Sequence, residues 1–149
     1  MDITKISKIL LIITGITSCV ACKKEPTENF PYAQVNVTLN LISNPIGAGT
    51  AIVCPNSSNQ GALGKGIIVF NTGNYGDVNY IAYSALCTNY PKDTSAVVIT
   101  SSGNEAQCPK CKSLFFLLDG SVLKGPAQYP LKQYSVSTIS DGNTLVIQN

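Results

Sequence analysis

The chain has 149 residues, enough for one domain, and its 44% apolar content is that of a globular protein. Ten basic residues, all lysine, stand against eight acids, and the resulting +2 leaves too little positive charge for a nucleic-acid surface. There is no histidine, which removes the commonest general base, the commonest zinc ligand and every Ser–His or Cys–His nucleophile pair.

Residues 1–18 carry Lys5 and Lys8 and then an apolar run from Ile9 to Ile16. That run is too short to span a bilayer and has the charge and length of a secretory signal. Ile16-Thr17-Ser18-Cys19 follows, and it resembles the bacterial lipobox, whose cysteine accepts a diacylglycerol. Cys19 is therefore the expected lipidation site. Cys22, also preceded by small residues, is the alternative, and choosing it leaves four cysteines that can pair evenly. Residues 19–31, with Pro26 and Pro31 in a polar stretch, read as a flexible tether. The folded domain is then expected over 32–149.

Strand signals fill that domain. Val35, Val37, Leu39 and Leu41 alternate with polar residues, the period of a half-buried strand. Residues 66–70 and 80–86 are β-rich runs joined by a Gly- and Asn-rich hairpin loop. Residues 95–100 form a further run ahead of a turn at 101–105, and 114–118 lead into Asp119-Gly120. Residues 133–139 and 144–149 flank Ser140-Asp141-Gly142-Asn143, a terminal hairpin signal. No window shows a helical period, and there is no internal repeat. The expectation is an all-β antiparallel sandwich or small barrel of about eight to ten short strands. Alternation places Val69, Ile81, Leu117 and Val136 in its core.

Candidate chemistry gathers at the ends of these runs. The glycines at 47–49 and 61–66 open no helix and read as turns rather than phosphate loops. Asp77, Asp93, Glu105, Asp119 and Asp141 sit in turn contexts, where carboxylates cap the backbone. The cysteines are more informative. Cys87-Thr88-Asn89, Cys108-Pro109-Lys110-Cys111, Ser113, Phe115, Asp119-Gly120, Gly125-Pro126-Ala127, Pro130-Leu131 and Tyr134 keep one order and spacing over residues 87–134. Together with the preceding hairpin they resemble, over residues 64–149, the Rieske [2Fe–2S] domain. That family reads Cys-Thr-His, then Cys-Pro-Cys-His-Gly-Ser, Asp-Gly and Gly-Pro-Ala. The resemblance implies a Rieske-like sandwich with two cysteine loops at one end and 125–127 as a third loop covering them.

The departures are chemical. A Rieske centre has two thiolates on one iron and two imidazoles on the other. The thiolate positions hold Cys87 and Cys108, but the imidazole positions hold Asn89 and Cys111, and Asn is a poor iron ligand. The loop-stabilising disulfide of the family falls at Lys92 and Lys110 and is lost as well. A standard cluster is not expected.

Three uses of the cysteines stay open. The resemblance brings Cys87 and Cys108 together, so a disulfide between them is the first choice, with Cys111 pairing Cys54 or Cys108–Cys111 as the local alternative. An all-thiolate iron–sulfur or zinc site from Cys87, Cys108, Cys111 and Cys54 is the second. A redox-active Cys108/Cys111 dithiol is the third. The reading is a non-enzymatic, lipid-anchored module on the periplasmic or outer face of a bacterial membrane. It is expected to lack a cofactor and to serve binding or assembly with a protein partner. The alternative is an electron-transfer protein with a cysteine-ligated iron–sulfur or other metal centre.

Overall fold

The computed structural model describes residues 30–74, 79–90 and 92–149, with the side chain of Asn56 left aside. The expected signal and both candidate lipid acceptors, Cys19 and Cys22, lie outside the described residues. Among the described residues no helix is long and apolar enough to cross a membrane. Phe30, inside the stretch read as tether, already packs its ring edge-on against Tyr90, centroids 6.3 Å apart.

Among the described residues ten strands form two antiparallel sheets. β1 (Asn36–Asn40), β2 (Ala51–Val53), β3 (Ile67–Asn71), β4 (Tyr80–Ser84), β9 (Gln133–Thr138) and β10 (Thr144–Gln148) make a six-stranded sheet in the order β1-β10-β9-β4-β3-β2. β5 (Val98–Ile99), β6 (Glu105–Gln107), β7 (Leu114–Phe116) and β8 (Val122–Lys124) follow one another in a four-stranded sheet. Every pairing is antiparallel. Two short 3-10 turns, Pro55–Ser57 and Ala62–Gly64, fill the connection from β2 to β3.

The apolar run of β3 has a specific cause. Ile68 and Phe70 point into one core and Ile67 and Val69 into another. β4 does the same, with Ile81 and Tyr83 on the first side and Ala82 on the second. The six-stranded sheet thus curls so that β3 and β4 are buried on both faces, which requires near-continuous apolar sequence rather than alternation. The first core lies between β3/β4 and the four-stranded sheet and contains Phe115, Leu117, Ala127, Leu131, Cys87 and Cys108. The second gathers Val35, Val37, Leu39, Leu145, Ile147 and Cys54. At the outer strand β1, facing solvent on one side, the alternation reappears in Val37 and Leu39 buried between exposed neighbours.

Of the four residues expected in the core, Val69, Ile81 and Leu117 are buried, and Val136 is half-buried against the second core. Three strands were not visible in the sequence: β2, β6 and β8. Each has three residues and lies outside the β-rich runs named above, and β6 begins at Glu105 inside the segment read as a turn.

The turn after β7 fits its strand by contact. Gly120 has φ +74°, and a Cβ there would lie 2.8 Å from Cε1 of buried Tyr83. Gly142 in the terminal hairpin has φ +70° with nothing within 4 Å of that point. Gly142→Ala is expected to cost about 1–2 kcal/mol from backbone conformation alone. Gly120→Ala should cost a further ~1–3 kcal/mol from overpacking on the ring. Denaturant midpoints at unchanged m-value measure both.

Candidate metal centre

Two loops carry the site. The first leaves β4 and returns through β5. It is closed by Cys87 N–H to Ser95 O at 3.0 Å and Val97 N–H to Ala85 O at 2.7 Å. Within it Asp93 N–H donates to Asn89 O at 3.1 Å, and Asp93 Oδ1 accepts Ser95 N–H at 2.8 Å. The carboxylate therefore caps its own turn, as the sequence suggested for acids in such contexts. The second loop joins β6 to β7 and is closed by Cys108 N–H to Ser113 O at 2.9 Å and Lys112 N–H to Cys108 O at 3.0 Å. Lys112 takes φ +63° to complete the turn, and its Nζ donates to Pro109 O at 2.6 Å.

The loops meet through side chains. Cys108 Sγ–H donates to Asp93 Oδ2 at 2.9 Å, so the second oxygen of the capping carboxylate reaches across to the other loop. The Cys87 and Cys111 sulfurs are 3.5 Å apart. Cys87, Asp93, Cys108 and Cys111 present ligand atoms that all lie within 4.8 Å of one another. Three of these residues are buried and Cys111 is half-buried.

The third loop closes over them. Ala127 is buried in the same core as Cys87 and Cys108, and its N–H donates to Ser113 Oγ at 2.8 Å. Ser113 Oγ also contacts Cys111 Sγ at 3.1 Å. Thr88 Oγ1 donates to the carbonyl of Tyr129, tying the first loop to the residues after Gly125-Pro126-Ala127. One serine hydroxyl thus connects the covering loop to a thiol.

Burial pushes the Cys87 thiol far above its ordinary range, against an Asn89 backbone N–H that stabilises the thiolate. Cys108 is raised by burial and by the Asp93 carboxylate that accepts its proton. At Cys111 burial also raises the value, but hydrogen bonds from the Ser113 hydroxyl and backbone outweigh it, and the thiol is lowered. Burial opposes ionisation of Asp93 too, yet the Cys108 thiol and the Ser95 amide hold its carboxyl down to about 2.

Two expectations change. Cys87 and Cys108, first choice for a disulfide, are both thiols here. Their sulfurs fall within the 4.8 Å cluster, but Cys108 is turned toward Asp93 and Cys87 touches Cys111. Cys54 is no part of the cluster. It follows β2, buried in the second core with its N–H donating to Ile67 O, and can neither join a site with the other three nor pair with Cys111. Its place is taken by Asp93, which the sequence showed only as a turn carboxylate. Asn89 contributes backbone, through its carbonyl to Asp93 and its N–H toward Cys87.

No protein-family model and no curated protein matches the chain. Solved structures do share its shape. A chain of the complex of reduced oxygenase and oxidized ferredoxin in carbazole 1,9a-dioxygenase superposes with a TM-score of 0.50 at 18% identity, over 76% of this chain and 94% of that one. The Sphingomonas yanoikuyae B1 ferredoxin superposes with 0.49 at 19% identity, over 77% and 99%. The cyanobacterial plasma membrane Rieske protein PetC3 from Synechocystis PCC 6803 gives 0.47 at 26% identity, over 56% and 76%. The fold is Rieske-like.

The donor set does not fit the cluster of that fold. Mixed ligation needs two imidazoles on the second iron, and the chain has no histidine. Cys111 does not replace one at the far side of a dinuclear centre, because its sulfur sits 3.5 Å from that of Cys87. Four donors within 4.8 Å surround one point rather than two.

Ser113→Ala tests how the covering loop is held. It leaves the buried Ala127 N–H without its acceptor and should cost about 1–3 kcal/mol. It should also raise the Cys111 pKa toward the ordinary thiol value. The pH profile of Cys111 alkylation should then shift upward, with slower reaction at a fixed neutral pH.

Proposed function

We propose that this chain is a non-enzymatic, lipid-anchored extracytoplasmic module of a bacterial membrane, using a Rieske-like scaffold without the histidine–cysteine [2Fe–2S] cluster for binding or assembly with a protein partner. The observation that carries this reading is the tip itself: three thiols and one carboxylate converge where the fold's cluster needs two imidazoles. The apolar run ending at Cys19, followed by a proline-containing polar stretch, supports the anchor, with residues 19–31 as tether and 32–149 as the domain.

A second reading has its own support. Three cysteines on two loops, two of them at the thiolate positions of the family pattern, are ligands suited to a cysteine-bound redox metal. On that reading the module transfers electrons through iron.

Spectra separate the two. Protein purified from its native compartment should be colourless and lack the low-field paramagnetic signal of mixed histidine–cysteine ligation. Visible charge-transfer bands with a reversible redox wave would favour electron transfer instead. The anchor is tested by fractionation with fatty-acid labelling. Cys19→Ser should abolish the label and release the protein from membranes, whereas Cys22→Ser should leave both unchanged. Release by Cys22→Ser alone would move the acceptor to Cys22, and no effect of either would remove the anchor.

A further inference from the structure

We propose that Cys87, Asp93, Cys108 and Cys111 bind a single tetrahedral divalent ion of the zinc class, which ties the two tip loops together in place of a dinuclear cluster. The inference rests on the reading that no histidine–cysteine cluster occupies the tip.

Geometry carries it. Thiolates about 2.3 Å from a tetrahedral zinc lie about 3.8 Å from each other, and carboxylate oxygens at about 2.0–2.2 Å lie slightly closer to them. Here the Cys87 and Cys111 sulfurs are at 3.5 Å, the Cys108 sulfur is 2.9 Å from Asp93 Oδ2, and no pair of the four donors exceeds 4.8 Å. Changes of about an ångström or less in these separations bring all four to one ion. Two irons side by side would require the donors to spread apart.

The surroundings are those of a ligand shell. Each loop gives two donors, Cys87 and Asp93 from one and Cys108 and Cys111 from the other. The Ser113 hydroxyl contacts the Cys111 sulfur, and Asp93 Oδ1 is oriented by the Ser95 amide, leaving Oδ2 to face the thiols. Such outer contacts fix ligands for a metal. Three soft sulfurs and one oxygen suit zinc and exclude calcium or magnesium, which take oxygen shells.

Binding is an exchange of protons for the ion. Without metal the Cys108 proton stays on sulfur and is donated in a hydrogen bond to the ionised Asp93 carboxylate. On binding, up to three thiol protons leave to solvent and four anionic donors surround a 2+ ion, so the site passes from a net charge of −1 to −2. No oxidant or reductant takes part.

The test uses the full chain in detergent, reduced under argon, with Co²⁺ as spectroscopic probe and Zn²⁺ as competitor. The expected result is one Co²⁺ per chain with tetrahedral ligand-field bands and thiolate-to-metal charge transfer. Zn²⁺ should displace it, and more than two protons should be released per ion. Cys54→Ser should bind as the parent does. Cys111→Ser should lose the charge-transfer intensity of one thiolate and weaken binding, and Ser113→Ala should weaken it by roughly ten- to a hundredfold. Because tip variants can misfold, stoichiometry and proton release on the parent chain decide independently. Six-coordinate spectra, unchanged binding by Cys111→Ser, or no binding by the reduced chain would overturn the ion and leave the proposed function standing. Two irons with acid-labile sulfide in the native protein would overturn both. A Cys87–Cys111 disulfide as the native state, found by peptide mapping, would replace the ion with a redox-sensitive crosslink and also overturn it.

Discussion

The β3–β4 pair is the constraint on which the rest of the structure depends. Buried on both faces, it sends Ile68, Phe70, Ile81 and Tyr83 to one core and Ile67, Val69 and Ala82 to the other. A register slip of one residue would exchange the two sets and place Tyr83 and Phe70 against β1 and β10. The pairing Ile68↔Tyr83 and Val69↔Ala82 is therefore fixed by volume on both sides. Fixing it also fixes where β4 ends, and Cys87 lies three residues beyond that end. Tyr83 extends the constraint to the second sheet, since its ring occupies the space that only Gly120 leaves open in the turn after β7. Burial raises the tyrosine's pKa, Asp119 adds to it, and its hydroxyl finds no partner among the described residues. The ring is held for its volume.

From that frame the tip follows by short-range hydrogen bonding. Each cysteine loop is closed at its base by backbone bonds continuing the strands. What joins the loops is side-chain chemistry: Cys108 to Asp93, Cys87 to Cys111, and Ser113 between Cys111 and Ala127. All three links involve a sulfur or the hydroxyl beside one. The tip rests on the first core through Cys87, Cys108 and Ala127, and these polar links hold its loops to one another. An ion bound there would stabilise the folded state as well as equip it.

Much of this was legible in the sequence where a period or a spacing was long enough to read. The alternation of Val35 to Leu41 marked β1, and the order of cysteines, prolines and glycines over 87–134 marked a Rieske-like scaffold. β2, β6 and β8 are three residues each and were hidden, whereas the equally short β5 and β7 were found because they sit inside the longer β-rich runs 95–100 and 114–118. Asp93 was hidden for another reason. A carboxylate beside Pro91 and Lys92 looks like a turn cap, and its Oδ1 is one, while Oδ2 does different work that only the fold reveals. Cys54 misled in the opposite sense, since the cysteine count offered it as a fourth ligand or as a partner for Cys111, and only the fold places it in the other core. The preference for Cys87–Cys108 assumed that the two inherited thiolate positions remain nearest neighbours, whereas a carboxylate within reach turned Cys108 away.

The central claim is that the tip has one metal position built from sulfur and carboxylate, where the scaffold's usual cluster has two. X-ray absorption on the zinc-loaded full chain tests it most directly. The account predicts a shell of three sulfurs at about 2.3 Å and one oxygen at about 2.0–2.2 Å, with no metal neighbour. A shell of nitrogen and oxygen alone, or a second metal at short range, would contradict it.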